Sequence, residues 1–140
     1  MPTIKEIMTG DLIRIEPEAT LQEAADLMRA EDVGFLLVMK EQKLHGLITD
    51  RDIVVRAVAY GRDSGSEVRD FMTEHPLTLD GDTDVEEAAR AMAQRRVRRL
   101  VVTHVGGVVG VVSLADLALK ADAQAQQAAL EGVSKPGGNN

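Results

Sequence analysis

The chain predicts an α/β (α+β) fold: two β-α-β-β-α repeats packed as a pseudo-twofold pair. The first observation behind this is self-similarity. The chain matches itself at an offset of 64 residues, without a gap, from Met8/Met72 to Asp52/Asp116. Identical pairs include Thr9/Thr73, Glu23/Glu87, Ala24/Ala88, Ala25/Ala89, Met28/Met92, Val33/Val97, Leu36/Leu100, Val38/Val102 and Gly46/Gly110. Other pairs exchange one aliphatic for another, as Ile13/Leu77, Leu21/Val85 and Ile48/Val112 do. A period this long, present twice, describes two copies of one small unit rather than a solenoid. The second observation is helical spacing. Leu21, Ala24, Ala25, Met28 and Val85, Ala88, Ala89, Met92 fall at i, i+3, i+4, i+7, one face of an α-helix. The third is a pair of strand-length aliphatic runs after each helix, separated in the second copy by a Gly106-Gly107 turn.

The elements follow in order. LIRIE and LTLD read as short opening strands, and the two helices come next. VGFLLVM and VRRLVV are strands that turn back into LHGLIT and VVGVVS. DRDIVVRAVAY and LADLALKA then read as helices. This divides the chain into repeat 1 (1–60), a linker GRDSGSE (61–67), repeat 2 (68–121), and a 122–140 segment. In that last segment AQAQQAAL is expected to extend the helix and SKPGGNN to be disordered. Neither repeat is large enough to bury an ample core alone, so the two are expected to pack face to face.

Composition narrows the function. The 140 residues are 44% hydrophobic and 28% charged, as in globular proteins, with a net charge of −7. An acidic surface repels phosphate backbones, and two Phe, one Tyr and no Trp make no stacking platform, so no nucleic-acid partner is expected. The absence of cysteine excludes disulfides, thiolate metal sites and cysteine nucleophiles. Apolar runs are strand-sized, and the opening MPTIKEIMTGD shows no basic stretch followed by an apolar run, so no secretory leader is expected. The expectation is a cytoplasmic protein that does not engage membranes.

One short pattern occurs twice. GLITDRD (46–52) and GVVSLAD (110–116) both read glycine, two aliphatics, a hydroxyl residue, two spacers, aspartate. Thr49 and Ser113 stand where a strand ends and a helix begins, so each is a candidate N-cap with an acid three residues on. Asp is a methylene shorter than the Glu or Gln of a usual capping box, which predicts a carboxylate freer to face outward. The first helical turn also favours an anion. A hydroxyl residue meeting phosphate and an aspartate accepting from two ribose hydroxyls is the alternative.

The duplicated unit ending in Gly-h-h-Ser/Thr-x-x-Asp, where h is an aliphatic residue, resembles a tandem pair of CBS domains (a Bateman module). The likeness covers about Thr3 to Ala121. It is similar to small stand-alone bacterial CBS-pair proteins and, over VRRLVV…GVVSLAD, to the γ subunit of AMP-activated protein kinase. The resemblance implies an adenosine-containing ligand (AMP-, ADP- or ATP-like) in the cleft between repeats, and a homodimer. It places the phosphate-side hydroxyl on Thr49 and Ser113, the ribose acid on Asp52 and Asp116, phosphate-binding cations on Arg98 and Arg99, and the adenine wall on Ile13, Val33 and Gly34. A proline frequent in the family's second strand is replaced by Leu37 and Val101, which should alter strand pairing more than ligand chemistry.

The two motifs differ in their cations. At the 64-residue offset Arg98 and Arg99 correspond to Gly34 and Phe35. A pair of guanidinium groups able to fork onto phosphate stands beside Ser113 and Asp116; the first motif has no such pair from its own repeat, Phe35 takes up space there, and Arg51, between the motif residues, is the candidate substitute cation. The plain alternative for QRRVRR is a solvated basic stretch. The three histidines (His45, His75, His104) show no metal-ligand spacing and read as surface residues, and the paired methionines read as core. The leading expectation is a regulatory sensor needing no cofactor beyond its nucleotide effector. The alternative is a ligand-free interaction protein acting through its homodimer surface. No nucleophile–base set or P-loop supports an enzyme.

Overall fold

The computed structural model describes residues 2–120. The expected helix extension and tail therefore lie outside the described residues. In chain order the elements begin with α1 (Ile4–Ile7), β1 (Arg14–Ile15), α2 (Leu21–Glu31), β2 (Phe35–Lys40), β3 (Lys43–Thr49) and α3 (Asp50–Asp52). β4 (Thr73–Glu74), β5 (Thr78–Asp80), α4 (Val85–Arg95), β6 (Arg99–His104) and β7 (Gly107–Ser113) follow. Helical backbone, α5, runs over 114–120. The described residues form two compact units: Asp11–Pro76, and residues 2–10 together with residues 77–120.

In the first unit the sheet order is β1-β2-β3-β4, with β1 parallel to β2 and the other pairs antiparallel. α2 begins at a capping box: Thr20 Oγ1 accepts from Glu23 N–H at 3.1 Å, and Glu23 reaches back to Thr20 N–H. It ends at Asp32 in the left-handed region, φ 55°. Leu21, Ala24 and Met28 face a core shared with Leu36, Val38, Ile48, Ala57, Val68 and Phe71. Ala25, expected on the same face, is exposed. The linker is pinned to the start of α2 rather than loose. Leu21 N–H donates to Ser66 O at 2.9 Å and Val68 N–H to Ala19 O at 2.8 Å.

The second unit repeats this plan. β5-β6-β7 form its sheet, and α4, capped by Asp84 and closed by Arg96 at φ 54°, packs Ala88 and Met92 against Leu100, Val102, Val112 and Ile4. Both hairpins carry a bulge at the same place, Val38/Met39 and Val102/Thr103. At this end of each hairpin two positive-φ residues make the corner. They are Glu41-Gln42 in one and Val105-Gly106 in the other, one residue earlier than Gly106-Gly107. Successive positive φ is the hairpin turn that Asn-Gly fills best.

Each sheet is completed by the residues that precede the other opening strand. Thr73 pairs with Leu47 in the first unit. The equivalent Thr9 bridges Val111 in the second, with N–H···O distances of 2.9 and 3.1 Å. The methionine before each threonine lies over a glycine. A Cβ on Gly46 would stand 2.5 Å from Thr73 O and 2.8 Å from Met72 Sδ, and one on Gly110 would collide with Met8. The shared glycine thus makes room for the incoming chain. Met28 and Met92 are buried, and Met8 and Met72 pack against the two cores, as the paired methionines predict.

The long helix predicted over 50–60 forms with mixed pitch. After α3, Ile53–Ala57 is π-helical and Val58–Tyr60 is a 3₁₀ turn. Gly61 ends it at φ 68°.

Two stability measurements test these packing arguments. Gly46→Ala must push aside the β4 backbone and is expected to cost about 1–3 kcal/mol in urea unfolding, the usual range for overpacking. Val105 is β-branched at φ 52° and exposed. Val105→Asn is expected to stabilise by about 1 kcal/mol, raising the midpoint, because the corner becomes Asn-Gly.

Candidate functional site

Thr49 ends β3 and is the N-cap of α3, with φ −117° and ψ 163°. Its Oγ1 accepts from Asp52 N–H at 3.1 Å, and Asp52 Oδ2 accepts from Thr49 N–H at 2.9 Å. The second motif has the same pair: Asp116 N–H to Ser113 Oγ at 3.0 Å, and Ser113 N–H to Asp116 Oδ2 at 2.9 Å. The aspartates therefore reach back after all, correcting the expectation of outward-facing carboxylates. The extended cap backbone brings its own N–H close enough for the shorter side chain, so Asp closes a complete capping box.

Capping does not exhaust these groups. A hydroxyl accepting one bond still has an O–H to donate, and a carboxylate has a second oxygen. Asp52 Oδ1 lies 3.7 Å from Arg56 Nε, and Arg56 Nη1 donates at 3.3 Å to Phe71 O and Met72 O. The second oxygen of Asp116 has no hydrogen bond or ion pair among the described residues. Both aspartates are half-buried.

Register brings the arginines to the second motif. Arg99 stands directly opposite Ser113 across the β6–β7 ladder, and Leu114 N–H donates to Arg98 O at 2.8 Å. Residues directly opposite share a face of the sheet. Arg99 is half-buried, whereas Arg98 is exposed, the split that strand alternation predicts. In the first motif Phe35 stands opposite Thr49, and Asp50 N–H donates to Gly34 O at 2.9 Å. A Cβ on Gly34 would stand 3.2 Å from Asp50 Oδ2. The first motif therefore has an aromatic ring and an extra carboxylate where the second has Arg99, Arg98 and Leu114. Arg51 is exposed.

Ile13 and Val33 are half-buried and pack against the core of their own unit. Val33 N–H closes the end of α2 on Met28 O at 3.0 Å. The proline substitution has a direct reading: Leu37 N–H donates to Ile13 O at 3.0 Å and Val101 N–H to Leu77 O at 2.8 Å, bonds that a proline could not make.

Two residues beside the first motif escape sequence reasoning. Asp50 sits between two motif positions and reads as a spacer; comparison with Leu114 at the 64-residue offset is the signal for it. Arg56 becomes notable only when folding brings it to Phe71 and Met72, fifteen and sixteen residues away.

A doubled α+β unit with an acid and a hydroxyl paired at each strand-to-helix corner is a tandem small-domain module. The CBS domain family model matches residues 4–58 and 68–121, and the chain belongs to that family. The chain is 37% identical over 119 residues to the CBS domain-containing protein YhcV of Bacillus subtilis, covering 85% of each. It is 32% identical over 120 residues to Hypoxic response protein 1 of Mycobacterium tuberculosis, covering 84% of each. An uncharacterized conserved protein from Pyrococcus horikoshii has a similar crystal structure, with TM-score 0.79 and 33% identity, covering 86% of this chain and 92% of that one. CBS pairs are regulatory modules that commonly bind adenosine ligands. Among the described residues no helix is long and apolar enough to cross a membrane.

The cap bonds make a direct prediction. Thr49→Ala and Ser113→Ala are each expected to lower stability by about 1 kcal/mol in denaturant unfolding, with Thr49→Ser nearly neutral.

Proposed function

We propose that the chain is a regulatory module that binds an adenosine-containing ligand, with AMP-, ADP- or ATP-like chemistry, foremost at its second motif. The observation that carries this reading is the state of Asp116. One oxygen is spent on the cap, and the other has no partner among the described residues, beside Ser113 and the strand-paired Arg99. Two vicinal ribose hydroxyls can donate to that oxygen. A phosphate placed at the same corner takes the Ser113 O–H, guanidinium hydrogen bonds and the favourable end of α5. Thr49 and Asp52 offer the same acid and alcohol, but Asp50 and Phe35 make their surroundings less suited to phosphate. The module acts by binding, with no catalytic step.

A second reading, an interaction protein acting as a homodimer, is favoured by a different observation. Val54, Val55, Val58 and Tyr60 are 57, 45, 63 and 77% exposed along one helical segment, and exposed apolar patches mark contact surfaces.

Calorimetry with AMP and ATP tests the first reading. Asp116→Ala is expected to weaken binding at least about tenfold, as loss of a charge-assisted hydrogen bond does, and Asp52→Ala to weaken it less. Unchanged affinity in Asp116→Ala removes that residue from the site. The absence of any adenine-compound binding, with concentration-dependent self-association in the ultracentrifuge, favours the interaction reading.

A further inference from the structure

Asp80 ends β5, Asp82 follows two residues later, and His104 ends β6. One ligand atom from each lies within 4.8 Å of the other two. The backbone beneath them is tied down. Gly81 N–H donates to Thr103 O at 2.8 Å, Gly81 O accepts from Lys5 N–H at 3.1 Å, and Asp82 N–H donates to Asp80 Oδ1 at 2.9 Å. That leaves Asp80 its second oxygen. His104 Nδ1 is buried and has no hydrogen-bond partner among the described residues, a costly state for a ring nitrogen unless something else satisfies it.

The other repeat shows what this place does when no ion is needed. At the 64-residue offset the three positions are Glu16, Glu18 and Lys40. There Lys40 Nζ donates to Glu18 Oε1 at 2.7 Å, and that hydrogen bond lowers the pKa of Glu18 and raises that of Lys40. The second repeat keeps both acids but shortens each by a methylene and replaces the ammonium by an imidazole. Space opens, and the built-in cation is lost. Lys5 compensates in part, its Nζ 3.2 Å from Asp82 Oδ1.

We propose that Asp80, Asp82 and His104 form a binding site for a divalent transition-metal ion of the zinc class. One imidazole and two carboxylates suit zinc better than magnesium or calcium, which prefer all-oxygen shells. Bonds of about 2.0–2.2 Å put donors about 3.3 Å apart in a tetrahedron. The side chains of Asp80 and Asp82, both exposed, close that gap by rotating, and water fills the fourth position. The metal takes Asp82 from Lys5, so binding also changes how α1 is tied to the sheet end. This site is independent of the nucleotide reading, because none of its residues belongs to either motif.

The test is Zn²⁺ titration of the chelator-treated, dialysed full chain by calorimetry. One equivalent per chain is expected. His104→Gln and Asp82→Asn should each weaken binding at least about tenfold, and Lys5→Ala should tighten it by removing the competing ammonium. The His45→Ala/His75→Ala double variant should bind as the parent does. Far-UV circular dichroism without metal identifies the variants that keep the fold, and either of the two ligand variants suffices. Absence of one-equivalent binding, undiminished binding in a folded ligand variant, or loss of binding in the His45/His75 double variant overturns the site.

Discussion

At each strand-to-helix corner two short hydrogen bonds run in opposite directions, hydroxyl oxygen to the third helical N–H and carboxylate to the cap N–H. They stop β3 and β7 at a fixed residue and start the next helix in a fixed direction. Because the ladder register places Arg99 opposite Ser113 and Phe35 opposite Thr49, the same corner decides which side chain of the preceding strand stands beside the motif. Capping is therefore compatible with the proposed recognition at Asp116: one oxygen orders the corner, and under the proposed function the ordered corner would present the other oxygen to a ligand, a pre-organised arrangement that spares later ordering cost.

Duplication with divergence explains the unequal motifs. The backbone hydrogen bonds at the two corners agree within about 0.1 Å, as do the cap bonds, so the scaffold has been kept. What differs is the chemistry hung on it: Gly34, Phe35 and Asp50 against Arg98, Arg99 and Leu114. In an acidic chain of net charge −7, the arginine pair puts two positive charges at the start of the strand beside one corner and none at the same place beside the other. The same divergence appears at the sheet end, where a Glu–Lys pair in one repeat corresponds, at the 64-residue offset, to an Asp–Asp–His group in the other.

Most of the fold was legible because both repeats state it. Strand order within each hairpin, the faces of α2 and α4, and the Thr/Ser-x-x-Asp corners all follow from periodicity read twice. What was not legible depends on pairings distant in sequence. Helix pitch over 53–60 is one case, since Ala57 is drawn into the core while Val54, Val55 and Val58 remain outside. The reach of Asp52 and Asp116 is another: side-chain length alone argued against it, and cap backbone geometry decided it. His104 reads as solitary when spacing is taken among histidines alone, whereas β5 and β6 lie side by side and bring it to Asp80 and Asp82.

The crossing of Thr9 onto β7 has a consequence for how the chain can be made and cut. The Asp11–Pro76 unit is one uninterrupted stretch, inserted into a unit whose two parts flank it. During synthesis residues 2–10 emerge before everything they will pack against, and must wait while 66 intervening residues fold. A fragment severed at the linker keeps a whole sequence repeat yet forfeits an edge of its sheet. The natural seams for dissection lie instead at Gly10/Asp11 and Pro76/Leu77, where one piece is removed entire.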